Sequence, residues 1–369
     1  MSDAETLATL FESLAAGPRP AGGAAEAAAR TRCAEMLRQA GYCVTEEPFE
    51  YSAFPGRWGT PVVGLASLLT LAAVAHLGAH GQPAAALALL ALAGAALAAA
   101  GTWMARRGVL GMPLLRRRGV NLVAARGEPR VWLVAHLDSK SQPVPIAVRA
   151  LGVLATGAMW VGALALAVAQ LAGLPVTALW APLAIGGAVA ALPIVLSTVG
   201  SRSPGALDNA SGVATVMGAA LRLPSPTPVG VVLTSAEELG LAGARAWALG
   251  RPPGVAVNVD GVDDRGAVTL MYTGRPPEPV LRAFAEAAAS TAAKDMASQP
   301  RSRRLLPGIL TDGVALADAG WAVVTVSRGR WRTLLRIHRP ADDLRALRGS
   351  ALVPTARLVA AAAHRLAGG

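Results

Sequence analysis

The chain has 369 residues and a formal net charge of +11, with 53% hydrophobic and only 15% charged residues. A soluble enzyme normally carries about 25% charged residues, so the composition excludes an ordinary soluble enzyme and indicates a membrane protein. The two cysteines exclude a disulfide framework, and no zinc finger or aromatic-studded basic sheet is visible, so no nucleic-acid partner is expected.

The first 58 residues have the pattern of a soluble domain. Helical periodicity covers 3–16 and 23–40, and the alternation over 42–51 predicts a strand. We therefore assign 1–58 to the first part of an α/β domain.

Four uncharged apolar runs interrupt this domain, at 61–79, 83–105, 150–173 and 174–198. Each is long enough to cross a hydrocarbon core of ~30 Å, and short turns join them in pairs. They predict two transmembrane hairpins, 59–106 and 147–199, which return the chain to one side of a bacterial-type plasma membrane. The turns lack Lys and Arg, whereas Arg106, Arg107 and Arg149 flank the spans, so we expect the soluble domain on the cytoplasmic side.

The remaining segments, 107–146 and 200–369, continue the α/β domain. Strands are predicted at 120–125, 131–137, 229–234, 255–260, 267–272 and 322–326, and helices at 211–222, 278–293 and 350–367. Because strands and helices alternate, we expect helices packed on a central sheet.

Seven histidines and acidic residues lie at strand ends or in loops: His136, Asp138, Asp208, Glu237, Glu238, Asp260 and His338. The carboxyl ends of strands in an α/β sheet form its ligand-binding edge, so these side chains are expected to converge. Imidazole and carboxylate without thiolate are the ligands expected of two zinc ions that share a carboxylate.

Two further roles follow from position. Asp138, two residues after His136, is placed to accept a hydrogen bond from its imidazole. One member of the pair Glu237 and Glu238 can bind metal while its neighbour takes a proton from water.

The motifs HxD, GALDNASGVA, AEELGLAGARAW, NVDG and IHxPADD, in this order, resemble the zinc metallopeptidase family M28, the family of leucyl-type aminopeptidases. The resemblance covers 1–58, 119–140 and 201–366. It implies a three-layer α/β/α domain with a central mixed sheet, two Zn²⁺ ions and a peptide substrate.

By this resemblance Asp208 is the bridging carboxylate. His136 and Asp260 complete one zinc site, and Glu238 and His338 complete the other.

The resemblance further implies that Glu237 is the general base and that Asp138 supports a ligand. Asp312 matches the loop before the last ligand and is expected to support a neighbouring ligand. No tyrosine matches an oxyanion-stabilising residue, and Tyr272 is equally well a strand residue.

The resulting hypothesis is a membrane-bound dinuclear zinc aminopeptidase in which Glu237 activates a water between the metal ions. The alternative is a catalytically silent M28-like membrane scaffold, and glutaminyl cyclisation is a related reaction on a similar scaffold. Arginines cluster just before His338, at 328, 330, 332 and 336. They could capture a substrate carboxylate or an acidic lipid headgroup, or form a solvated basic loop.

Overall fold

The structure is a computed structural model that describes residues 3–290, 299–306 and 308–368. The chain forms two compact units. The first comprises Met1–Ser52, Leu115–Ser141 and Ser201–Gly369, and the second comprises Ala53–Leu114 and Gln142–Gly200. The second unit is larger than the two predicted hairpins, 59–106 and 147–199, and its first helix begins earlier than predicted, at Phe54.

An eight-stranded mixed sheet forms the centre of the first unit, in the order β1-β2-β4-β3-β5-β8-β6-β7. The strands are Cys43–Ser52 (β1), Arg116–Ala125 (β2), Val131–His136 (β3), Val229–Thr234 (β4), Val255–Val262 (β5), Ala267–Tyr272 (β6), Arg301–Arg304 (β7) and Ala322–Gly329 (β8). Strands β4, β3, β5 and β8 are parallel neighbours, whereas β2 and β6 run antiparallel to this group. The predicted α/β fold with a central mixed sheet is confirmed.

The helices of the two units are Asp3–Leu14 (α1), Ala24–Gln39 (α2), Phe54–Ala79 (α3), Pro83–Trp103 (α4), Val109–Gly111 (α5), Ile146–Leu171 (α6), Trp180–Val195 (α7), Ser211–Arg222 (α8), Ala242–Ala248 (α9), Glu278–Ala289 (α10), Asp312–Asp318 (α11) and Leu352–Leu366 (α12). Helices α3 to α7 belong to the second unit. The predicted helix 278–293 ends earlier, at Ala289, and its last three positions lie outside the described residues.

Alternate residues of each central strand pack on opposite faces of the sheet, because successive side chains of a strand point to opposite sides. Leu133 and Val231 join the cluster that includes α1, α2, α8, α10 and α12. Val134 and Val232 join a second cluster with residues of α9 and α11. The sheet is therefore covered on both faces, as the three-layer prediction requires.

The second unit exposes large apolar side chains and has glycine at a close contact between helices. Leu92 and Leu154 are 71% and 72% exposed, whereas Gly78 is buried against the Trp180 ring. A Cβ atom at Gly78 would lie 2.1 Å from a Trp180 ring atom, so only glycine permits this approach. Small residues at helix contacts and large apolar residues outside are typical of helices in lipid.

Within the described part of the chain, four helical segments are long and apolar enough to cross a membrane. They are Phe54–Ala79, Pro83–Gly111, Ile146–Leu171 and Thr177–Val195.

Candidate metal centre

The parallel strands β3, β4 and β5 bring their polar ends to one edge of the sheet. His136 is the last residue of β3, Asp260 lies near the end of β5, and Glu237 begins a 3-10 turn three residues after β4. His338 follows β8, which is parallel to β5. Asp208 lies in the turn Ala206–Ala210 that leads into α8.

Asp208 lies between the two histidines of the site. Its Oδ1 is 3.1 Å from His136 Nε2, and its Oδ2 is 3.1 Å from His338 Nε2. The two oxygens of one carboxylate thus face two different imidazoles, which is the arrangement that a ligand shared by two cations requires.

Six side chains form two adjacent groups of possible ligands. His136, Glu237 and Asp260 form one group, and Asp208, Glu238 and His338 form the other. The ligand atoms within each group lie within 4.8 Å of one another. The structure therefore brings together all five predicted metal ligands and places the predicted base, Glu237, among them.

The donor set fits divalent metal ions. His136 is 1% exposed, and its Nε2 makes no well-aligned hydrogen bond to a described residue. Three carboxylate oxygens surround this nitrogen: Asp208 Oδ1 at 3.1 Å, Asp260 Oδ1 at 3.8 Å and Glu237 Oε2 at 3.9 Å. Glu238 Oε1 is likewise buried without a partner in the described part of the chain. Buried carboxylates need a cation, and unused nitrogen and oxygen atoms directed at a common point are suitable ligands.

Burial and neighbouring charges shift the pKa values of Glu237 and Asp208 in opposite directions. Burial raises the pKa of Glu237 well above its usual range, and Glu238, Asp260 and Asp312 add to this rise against the opposing effect of His136. Burial also raises the pKa of Asp208, but the imidazoles of His136 and His338, each 3.1 Å from one of its oxygens, hold this pKa well below the usual range. The ionised form is therefore favoured at Asp208 and the protonated form at Glu237.

Asp138 differs in part from its predicted role. His136 Nδ1 lies 3.0 Å from the Asp138 backbone oxygen and 3.6 Å from its carboxylate. The carboxylate instead accepts the backbone N–H groups of Glu237 and Glu238, at 3.0 and 3.2 Å. Because the turn after β4 exposes these N–H groups to the end of β3, Asp138 orients the glutamate pair as well as the imidazole.

Asp342 orients the backbone at Asp208 in the way that Asp138 orients the glutamate pair. The sequence analysis did not identify Asp342 as a residue of the site. Its two carboxylate oxygens accept the backbone N–H groups of Leu207 and Asp208, at 2.7 and 3.1 Å. Burial raises the pKa of Asp342 to about 7. The motif IHRPADD contained this residue, but only the fold shows which loop it contacts.

Lys140 is a second residue of the site that the sequence analysis did not identify. Its Nζ lies 2.6 Å from Glu238 Oε2. Burial favours the protonated form of Glu238, but Lys140 and His338 outweigh it and lower the pKa of this carboxyl to about 2.

Arg19, in the loop GPRPAGG, is 1% exposed and contacts both chain segments that border the second insertion. Its guanidinium donates to the carbonyls of Leu137 and Pro204, each at 2.8 Å, and to Gly205 at 3.2 Å. It thereby ties the segment after His136 to the segment before Asp208. A lone arginine in a loop has no sequence pattern that reveals such a role.

Asp312 and Tyr272 belong to neither group of possible ligands. Asp312 is fully buried at the start of α11, accepts a hydrogen bond from the Thr234 hydroxyl, and has its pKa raised to about 7 by burial. Tyr272 ends β6, which runs antiparallel to β8, so it lies away from the sheet edge that carries the site.

Residues 192–363 match the model of peptidase family M28. The predicted resemblance to family M28 is confirmed. The match includes five of the site residues, Asp208, Glu237, Glu238, Asp260 and His338, and begins after His136. No curated protein sequence matches the chain.

Solved structures of two activities share this fold. An aminopeptidase from Aneurinibacillus sp. strain AM-1 is 15% identical, with a TM-score of 0.54 over 97% of this chain and 92% of that chain. BSAP, a zinc aminopeptidase from Bacillus subtilis, is 16% identical, with a TM-score of 0.55 over 98% of this chain and 94% of that chain. A glutaminyl cyclase from Bacteroides thetaiotaomicron is 13% identical, with a TM-score of 0.56 over 98% of this chain and 97% of that chain. The family match and these neighbours indicate a hydrolase or a related enzyme on an M28 fold.

Proposed function

We propose that the chain is a membrane-anchored, zinc-dependent aminopeptidase with two metal ions. The observation that carries this proposal is the Asp208 carboxylate, whose two oxygens face His136 and His338 with Glu237 beside them. His136 and Asp260 would hold one ion, Glu238 and His338 the other, and Asp208 both.

Bound zinc ions would polarise the scissile carbonyl and lower the pKa of a water molecule. Glu237 accepts a proton from the water whose oxygen adds to the carbonyl carbon. When the C–N bond breaks, Glu237 passes this proton to the departing amine. Burial raises the pKa of Glu237, which makes its carboxylate a stronger proton acceptor. Asp138 keeps the base in place through the backbone of the turn.

We place the first unit on the cytoplasmic side of the membrane. Arg106, Arg107 and Arg149 lie near the ends of the candidate spans, and the turns between paired spans lack Lys and Arg. Protease accessibility in inside-out and right-side-out vesicles tests this orientation, and cleavage of the first unit only in right-side-out vesicles would overturn it.

The function is tested with full-length protein in detergent and peptides whose N-termini are free or blocked. We expect hydrolysis of free N-termini only, and loss of activity with a chelator. Glu237→Gln should lower kcat by roughly 10²–10⁴-fold and retain the metal. Activity retained in that variant would remove Glu237 from its role. Full-length protein that binds no zinc would favour the silent scaffold.

Glutaminyl cyclisation is a second candidate because a cyclase structure matches this chain with a TM-score of 0.56. The peptide panel should therefore include N-terminal glutamine. Release of ammonia with an intact peptide chain would indicate cyclisation, whereas release of free glutamine would indicate peptidase activity.

A further inference from the structure

Large apolar side chains are exposed in the segment that leads to His338. Trp331, Leu334 and Leu335 are 68%, 47% and 47% exposed. They belong to a 3-10 turn, Trp331–Leu335, that follows β8. Leu335 precedes His338 by three positions, so this segment leads directly to a residue of the metal centre.

The outward orientation of these side chains is held by a buried carboxylate. A 3-10 turn has three residues per turn, so Thr333 and Arg336 lie on one ridge. Thr333 Oγ1 and Arg336 Nη2 both lie 2.7 Å from Asp263 Oδ2. Because this ridge is fixed inward, the ridge of Trp331 and Leu334 is directed to the surroundings.

Positive charge accompanies the exposed apolar side chains. The interval 319–341 contains five arginines and no carboxylate. Arg330 and Arg332 are exposed, and the Arg332 guanidinium lies 5.2 Å from the centre of the Trp331 ring. Arginine beside tryptophan and leucine is the composition of segments that lie in the interface of an anionic membrane.

We propose that the segment 328–339 docks on the surface of a bilayer that contains anionic lipids. Trp331, Leu334 and Leu335 enter the headgroup region, and Arg330 and Arg332 contact the lipid phosphates. A bilayer is within reach because the same chain carries four membrane-length apolar helices. The inference is independent of which reaction the centre catalyses.

The test uses the full chain in lipid nanodiscs with a single fluorophore. In a Cys43→Ser background, which removes the exposed cysteine, Leu334→Cys is labelled with an environment-sensitive dye. Lipids with a nitroxide near the headgroup serve as quencher, with and without phosphatidylglycerol. Leu249→Cys is the matched control because Leu249 is 74% exposed and lies before β5, toward the opposite edge of the sheet.

We expect quenching at position 334 to exceed that at 249 several-fold and to increase with phosphatidylglycerol. Arg330→Gln with Arg332→Gln should remove the increase. Equal quenching at the two positions would overturn the proposal. Strong protection of position 334 by an added apolar peptide, without lipid quenching, would also overturn it and assign the segment to the substrate.

Discussion

The two units differ in where they place polar and apolar side chains. In the first, the polar side chains of His136, Asp138 and Asp312 are at most 1% exposed. In the second, Leu154 is 72% exposed while Gly78 is buried. Large exposed apolar side chains with small residues at helix contacts, as in the second unit, are the pattern typical of helices in lipid. Substitutions should therefore damage the units by different mechanisms.

The largest effect is expected at the shared carboxylate of the first unit. Asp208→Ala should lower metal affinity and activity by more than ~10²-fold, because loss of groups that only support a ligand already costs about 10–100-fold. Metal analysis and peptide assays measure this. Asp318→Ala, at an aspartate paired with Arg245 at the surface, should change neither. A normal metal content in Asp208→Ala would contradict the two-ion arrangement.

The second unit should be sensitive to side-chain volume at its helix contacts. Gly78→Val places a Cβ atom 2.1 Å from the Trp180 ring and should cost at least ~1–3 kcal/mol of stability through overpacking. Gly101→Val is the control because no atom lies within 4 Å of its added Cβ. Thermal unfolding in detergent separates the two variants. Equal stability would show that the close helix contact does not form.

A smaller effect is expected at Asp342, which lies behind the bridging ligand. Asp342→Asn replaces one of two acceptor oxygens with a donor, so a buried N–H of Leu207 or Asp208 loses its partner, at a cost of ~1–3 kcal/mol. Metal affinity should fall while Glu237 is untouched. Asp343→Asn is the adjacent control, since Asp343 bonds to the exposed Arg345. Titration with zinc would show whether the two variants differ.

The smallest effect concerns Glu26, which is buried near the start of α2. Burial raises its pKa to about 7, so the folded state holds a proton that the unfolded state releases near its ordinary value of 4.5. Stability from this proton is fully present below about 4.5 and is lost as the pH rises through about 7. Glu26→Gln should reduce this pH dependence, which is on the order of 1–3 kcal/mol. Glu12→Gln, at an exposed position of α1, should leave the dependence unchanged.

Much of the first unit could be predicted because its signals are local. Strand β4 is a run of apolar residues that ends before two glutamates, and β6 was predicted with the bounds that the structure has. Strand β7 was missed because its residues, RSRR, are all exposed and have no apolar alternation. It forms only because β6 offers an unpaired edge.

By itself the sequence determined the apolar runs, the alternation of strands and helices, and the residue types of the site, since each depends on neighbouring residues alone. Only the tertiary structure decided that Asp208 lies between His136 and His338, that Arg19 ties the segments bordering an insertion, and that Lys140 pairs with Glu238. These contacts join residues far apart in the chain, and their geometry depends on strand order and register. Composition and spacing do not contain that information.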